Sequence, residues 1–242
     1  MLLAGRSAIL EALSEGRALD RIYLQKTAST VLQGEIRKAA EKAGVPINYV
    51  PADKLNGFNV GEHGGCVALL SRVQYHDLQQ MISFVVDNGE VPMFLILDGV
   101  TDIRNIGGIA RTAWSMGVQA LIIPDKGVGA LNEDAVLTSA GALEQLPVCR
   151  VNSLMKAVDE LRMNGIRVLA SEMTAEKKTF DIAFNEPVAI VMGGEERGIN
   201  SVLMKICDDR FSIPMPTGFE SLNVSVATGM ILYEAMKQRM KQ

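Results

Sequence analysis

Apolar positions along the first seventy residues alternate between a helical period and short extended runs. Residues 1–16 place Ile9, Leu10 and Leu13 on one face and reach Gly16, a pattern that predicts a helix. Ile22-Tyr23-Leu24 reads as a strand, Val31 to Ala43 as a helix closed by Gly44, and Pro46 to Val50 as a further strand. A helical turn at Asp53 to Leu55 and the loop residues Asn56-Gly57 and Gly61 precede a buried strand, Cys66 to Leu70. From Met93 onward the pattern becomes a regular β/α alternation. Strands are expected at Met93–Leu97, Ala120–Ile123, Leu146–Arg150, Arg167–Ala170, Val188–Met192 and Phe211–Ile213. Helices are expected at Ile106–Met116, Asp134–Ala140, Ser153–Met163 and Ser201–Ile206. Continuous apolar runs such as Phe94-Leu95-Ile96-Leu97 and Val188-Ala189-Ile190-Val191 predict parallel strands covered on both faces.

Between these regions Asp77 to Val86 reads as a helix, and Asn88-Gly89-Glu90-Val91-Pro92 has the composition of a linker. The expected division is therefore a small α/β domain over 1–74, a linker over 75–92 and a larger α/β domain over 93–242. The chain ends on an unusual helix. Ser221 and Asn223 stand where an N-cap belongs, behind a loop shaped by Pro214, Pro216 and Gly218. Val224, Val226, Ala227, Met230, Ile231 and Leu232 then make the helix apolar nearly all round, which predicts burial, and it turns polar only at Lys237, Gln238, Arg239 and Lys241. Ala227, Thr228 and Gly229 permit close backbone approach.

Composition narrows the classes. The 242 residues are 48% hydrophobic and 21% charged, enough for a substantial core. A net charge of −4 confines any nucleic-acid site to a local patch, and Arg6, Arg17, Arg21, Lys26, Arg37, Lys38 and Lys42 give the first domain a basic excess. Three well-separated cysteines fit reduced thiols in the cytosol, and two histidines without ligand-spaced partners argue against a metal site. No apolar run is long enough for a signal peptide or a membrane span.

In open α/β sheets ligands bind beyond the carboxyl ends of the strands, and three such ends carry unusual chemistry. After the first strand of the larger domain, Asp98 to Gly108 contains Asn105, a candidate helix cap, and Gly107-Gly108, followed by Arg111 among apolar neighbours, where an anionic partner is expected. Met192-Gly193-Gly194-Glu195-Glu196-Arg197-Gly198 offers backbone N–H groups and a carboxylate. The third loop is Ser221-Leu222-Asn223. Neither GxGxxG nor GxxxxGK[ST] is present, which argues against a nucleotide-binding metabolic enzyme.

Taken together, the three loops resemble the motifs of the SpoU, or TrmH-like, RNA 2′-O-ribose methyltransferases. The first matches on Asn105, Gly107, Arg111, Thr112 and Ala113, the second on Gly193, Glu195 and Gly198, the third on Ile213 to Met215 and Ser221 to Ala227. Ser139 to Ala142, Leu146 to Val148, Gly5 to Leu13 and His63 to Ala68 extend the resemblance over nearly the whole chain. It is nearest to the bacterial enzymes that methylate a guanosine of large-subunit ribosomal RNA. The chain departs from the pattern at Ile103, where Pro is common, at Gly108, where Ala is common, at Gly64, where Gln is usual, and at Gly218, which stands one position late.

The resemblance implies a trefoil-knotted parallel-sheet domain behind an L30e-like RNA-binding domain, S-adenosylmethionine as cofactor, RNA as substrate and a homodimer without metal or membrane. It assigns catalysis to Asn105, Arg111, Glu195, Ser221 and Asn223. Ser171, Gly193, Gly194, Ile213, Met215, Leu222 and Asn223 would hold the cofactor, and Arg6, His63, Arg104 and Arg111 would meet RNA. Arg111 is expected to remain charged, its fork held by Asn105 and Glu195, because a guanidinium is too strong a base to be neutral near pH 7. A transfer-RNA methyltransferase and a non-catalytic RNA-binding protein of the same fold are the alternatives. The second would lack motif residues, and none is missing.

Overall fold

The computed structural model describes residues 2–217 and 221–240; Gly218 and Lys241, expected in the third loop and the wet end of the last helix, lie outside them. The chain divides into two compact units, Met1–Gln74 with Leu131–Glu133, and Tyr75–Ala130 with Asp134–Gln242.

The first unit runs β1 (Leu2–Ala4), α1 (Arg6–Ser14), β2 (Leu19–Gln25), α2 (Thr30–Lys42), β3 (Ile47–Val50), α3 (Ala52–Asn56) and β4 (Cys66–Leu70). Its sheet has the order β1-β4-β2-β3, with only β2 and β3 parallel. The helix expected from the first residue is corrected here: Leu2 to Ala4 pair with β4 as an edge strand. Gly5 causes the break, because its φ of 86° is a backbone angle that side-chain-bearing residues rarely adopt. Ile9 and Ala12 of α1 and Ile36 and Ala40 of α2 bury against Ile22, Leu24, Cys66 and Ala68 of the sheet. The Ser29 hydroxyl accepts from the Leu32 N–H and so caps α2.

The second unit opens with β5 (Tyr75–His76), α4 (Leu78–Asp87), β6 (Met93–Asp98), α5 (Ile103–Ser115), β7 (Ala120–Pro124), α6 (Glu133–Thr138) and α7 (Ala142–Gln145). It continues with β8 (Val148–Val151), α8 (Leu154–Met163), β9 (Arg167–Ser171), β10 (Val188–Gly193), α9 (Ser201–Ile206), β11 (Asp209–Phe211) and α10 (Val224–Arg239). Its strands form one sheet of order β11-β9-β10-β6-β7-β8-β5, and every pairing is parallel. The apolar runs of β6 and β10 are buried, as strands covered on both faces must be.

The segment 75–92 is not a linker. β5 pairs with β8, while Leu78, Met81, Ile82 and Val85 of α4 bury in the same core as Val158 and Leu161 of α8. Gly89, with φ 73°, only closes α4, and the Pro92 carbonyl accepts from the Val188 N–H at 3.0 Å.

From β6 the chain winds through β7 to β8 on one side, then crosses to place β9, β10 and β11 on the other. The direction reverses between β6 and β10, which pair in register from Val188↔Met93 to Gly193↔Asp98. Such a switch point opens a crevice at the carboxyl ends of the strands. Helices α5 and α10 cross tightly: a Cβ on Gly108 would lie 3.4 Å from the Ser225 Cβ, and one on Gly229 would lie 3.8 Å from the Thr112 methyl. The last helix is less buried than its composition predicts. Thr228, Ile231, Leu232 and Ala235 face inward, while Val226, Met230 and Tyr233 form an open stripe at i, i+4, i+7 spacing.

Candidate functional site

The loops after β6 and β10 approach so closely that only glycine fits. A Cβ on Gly194 would stand 2.1 Å from the Gly99 carbonyl oxygen, and one on Gly193 would stand 2.3 Å from the Gly198 carbonyl carbon. The Gly194 N–H donates to the Asp98 carbonyl at 2.8 Å, and the Asp98 carboxylate accepts from the Asn200 N–H at 2.6 Å. Gly198 N–H then donates back to the Gly194 carbonyl at 2.9 Å, so Glu195, Glu196 and Arg197 form the tip of a tight turn. Sequence reasoning missed Asp98. The available signal is its position at the end of an apolar run, just before Gly99.

Asn105 does not cap α5. Asp102 does so, its carboxylate accepting from the Arg104 N–H at 2.8 Å and pairing with the Arg104 guanidinium at 2.8 Å. Those Arg104 bonds hold the Asp102 carboxyl below the usual carboxylate range. Asn105 thereby falls inside the first turn with only 8% of its surface exposed. Its amide donates to Glu195 Oε1 at 3.0 Å, and its oxygen accepts from Asn223 Nδ2 at 3.0 Å. Asn223 Nδ2 also donates to Glu195 Oε1 at 2.8 Å, while Asn223 Oδ1 accepts from the Ser225 N–H at 2.9 Å and caps α10. One side chain from each of the three loops thus joins a single polar cluster. Ser221, the other candidate cap, makes no such bond; it stands exposed on the wall of the adjoining cavity.

That cavity has a volume of about 980 Å³. Ser171 borders it from the end of β9, and Gly193 and Gly194 border it from the end of β10. Ile213, Met215 and Leu222 supply apolar wall, and Asn223, Glu195 and Arg197 supply polar groups. This combination of apolar surface with a few fixed polar groups suits a medium-sized organic ligand.

Arg111 stands apart from the cluster. Six residues beyond Asn105, it is turned about 240° around the helix, and its side chain is exposed. Among the described residues its guanidinium has no hydrogen bond or ion pair, so neither the expected anionic partner nor the grip by Asn105 and Glu195 is present. Those two groups are already committed to each other and to Asn223. Arg104 is exposed and paired with Asp102. In the first unit, Arg6 donates to Glu35 at 2.7 Å. His63 Nδ1 accepts from the Gly65 N–H at 3.1 Å, which leaves Nε2 to donate to Asn56 Oδ1 at 2.9 Å. Among the described residues no group of His, Cys, Asp and Glu could hold a metal ion, and no helix is long and apolar enough to cross a membrane.

A parallel α/β sheet with a ligand cavity at its switch point, bordered by a fixed polar cluster, defines an enzyme-like small-molecule-binding domain. The sequence profile of the SpoU rRNA Methylase family matches residues 92–233, and that of RNA 2′-O ribose methyltransferase substrate binding matches residues 2–76. YacO of Bacillus subtilis (strain 168), named for the TrmH family of tRNA/rRNA methyltransferases, is 32% identical over 235 residues, covering 97% of this chain and 94% of its own. A Staphylococcus haemolyticus relative named for the same family is 33% identical over 239 residues, covering 99% and 96%. Among solved structures, the SpoU methyltransferase AviRb from Streptomyces viridochromogenes shares the fold, with TM-score 0.62, 24% identity and coverage of 100% of this chain and 90% of that one. The A. aeolicus TrmH/SpoU tRNA modifying enzyme gives a TM-score of 0.57 at 27% identity, over 68% of this chain and 85% of that one. The chain belongs to the SpoU rRNA methylase family.

Proposed function

We propose that the protein transfers a methyl group from S-adenosylmethionine to a ribose 2′-hydroxyl of RNA, on a guanosine of large-subunit ribosomal RNA. The observation that carries this reading is the Asn105–Glu195–Asn223 cluster beside a cavity of about 980 Å³, built from the three loops that carry the family motifs. The cavity fits the cofactor chemically. Backbone at Gly193 and Gly194 and side chains at Ile213, Met215 and Leu222 would receive its adenosine, with Ser171 and Asn223 adding polar contacts. AviRb has been solved in complex with AdoMet, in a structure that aligns at TM-score 0.58.

When bound, the cofactor supplies an electrophilic sulfonium methyl group. The chain's own residues then have distinct tasks. Asn105, Glu195 and Asn223 hold the rims of the cavity in register, and Ser221 shapes the ribose side. The uncommitted Arg111 guanidinium clamps an RNA phosphate and stabilises charge growing on the 2′-oxygen. The hydroxyl proton leaves to water or to a phosphate oxygen. Arg6 and His63 in the first unit and Arg104 in the second add RNA contacts, which must weaken with salt as counterions return to the backbone. The open Val226, Met230, Tyr233 stripe of α10 supports a homodimer, and the trefoil knot that the family resemblance implies would bring that helix against α5.

Mapping 2′-O-methyl groups in ribosomal and transfer RNA from a deletion strain tests the reading. Loss of one mark in large-subunit RNA is the expected result. A mark lost from transfer RNA moves the substrate, and no lost mark favours the non-catalytic alternative. In single-turnover assays Arg111→Lys should retain more activity than Arg111→Ala. If the rate of the Arg111→Lys variant climbs with pH near a lysine pKa while wild type stays flat, the residue at this position is a base.

A further inference from the structure

At the tip of the turn after β10, Glu195 and Arg197 both border the cavity, while Glu196, between them, does not. Arg197 is the one cationic side chain among the described residues of that wall, which otherwise carries Glu172 and Glu195. Both carboxylates have partners: Glu172 accepts from the Thr174 hydroxyl at 3.1 Å and lies 3.6 Å from the Arg210 guanidinium, and Glu195 Oε1 takes both amides of the cluster. The Arg197 guanidinium has no hydrogen bond or ion pair among the described residues. The turn that carries it is pinned by the Gly198–Gly194 bond and by Asp98, so its backbone is placed before any ligand arrives.

S-adenosylmethionine brings a carboxylate, an ammonium and a sulfonium, a net single positive charge. The wall offers the complement, two carboxylates and one guanidinium. Resting on the cofactor reading above, we propose that Arg197 binds the α-carboxylate of the methionine moiety and so orients the amino-acid end of the cofactor. A guanidinium fork matches a carboxylate in a bidentate pair, whereas adenosine and sulfonium present it no anion. Arg197 occupies an x position of the Gly-x-Glu-x-x-Gly pattern, two residues after Glu195.

The test is titration calorimetry of the full-length protein with S-adenosylmethionine and with its decarboxylated analogue, which lacks only the carboxylate. Wild type should prefer the carboxylated ligand. Arg197→Gln should weaken S-adenosylmethionine and S-adenosylhomocysteine about tenfold or more, the scale of a lost charge-assisted pair. The decarboxylated analogue should bind wild type and variant alike, and Arg197→Lys should recover part of the loss. Equal weakening of both ligands would mean a disturbed turn and overturn the assignment, as would an unchanged affinity for S-adenosylmethionine. Lower RNA affinity with intact cofactor binding would make Arg197 a phosphate contact instead. Failure of wild type to bind either ligand would overturn the cofactor reading itself.

Discussion

Replacing Asn223 by Asp separates the two jobs this residue performs. Its Oδ1 accepts from the Ser225 N–H at 2.9 Å and the Val226 N–H at 3.4 Å, while its Nδ2 donates to Asn105 Oδ1 at 3.0 Å and Glu195 Oε1 at 2.8 Å. Aspartate caps a helix as well as asparagine does, so the first job survives. The second is inverted, because an anionic oxygen replaces the donor beside another carboxylate. Losing a bond to a charged acceptor costs about 1.5–3 kcal/mol and losing a neutral one about 0.5–1.5 kcal/mol. Repulsion at this range adds about 1–4 kcal/mol between water and a surface-like dielectric. Glu195 and Asn223 are exposed, so the low end of each range applies, roughly 3 kcal/mol in all.

Asn223→Ala loses the cap, about 1 kcal/mol, and the same two bonds, but adds no repulsion. It should therefore be no worse than Asn223→Asp. Capping alone predicts the opposite order, with Asp near wild type and Ala lower. Urea midpoints of the three proteins at low and high salt decide between these, and the Asp deficit should shrink with salt as the repulsion is screened. An Asp variant as stable as wild type, beside a destabilised Ala variant, would mean that Glu195 is not engaged and the cluster is not formed.

Gly194→Ala must displace the Gly99 backbone, so cofactor affinity should fall at least tenfold by calorimetry, whereas Gly108→Ala meets only Ser225 at 3.4 Å and should leave it within twofold. Arg239 donates to four carbonyls, of Phe184 at 2.8 Å, Val91 at 2.6 Å, Pro92 at 2.9 Å and Glu186 at 2.9 Å, and burial lowers its pKa. Arg239→Met strands those acceptors and should lower stability by about 3 kcal/mol in urea unfolding, with Arg239→Lys intermediate. Burial pushes the Cys149 thiol up to about 12 from 9.0. The folded state therefore keeps a proton that the unfolded chain releases, so this contribution to stability is full below pH 9 and is lost as pH rises toward 12. Cys149→Ala should flatten that alkaline decline in unfolding midpoints measured from about pH 8 to about pH 10.5.

The strands of the second sheet are legible in the sequence because Phe94-Leu95-Ile96-Leu97 and Val188-Ala189-Ile190-Val191 are short uninterrupted apolar runs, the pattern of strands covered on both faces. The apparent linker misleads for a local reason. Asn88-Gly89 and Pro92 are turn punctuation, yet Gly89 ends a core helix and the carbonyls of Val91 and Pro92 are held by Arg239, at the far end of the chain. No window of sequence shows that bond. The terminal helix fails in the other direction. Its all-round apolar surface predicts burial, but α5 and the sheet occupy one side only and leave Val226, Met230 and Tyr233 open.

At the site, the sequence shows which side chains belong together but not how they share their hydrogen bonds. Asp102 and Asn105 are both good cap residues, and in the fold Asp102 caps α5 while Asn105 turns inward to Glu195 and Asn223. The expected grip on Arg111 fails on geometry, because six residues past Asn105 it lies about 240° around α5 and is exposed. Acceptors are not lacking, since the Asn105 oxygen that Asn223 uses keeps a second lone pair and Glu195 keeps a second carboxylate oxygen. Glu195 Oε1 is taken by two amides. Residue type fixes how many acceptors exist; only the assembled chain fixes which donors reach them. With the amides closing the cluster among themselves, Arg111 stands apart from it on the exposed side of α5, available to an RNA phosphate.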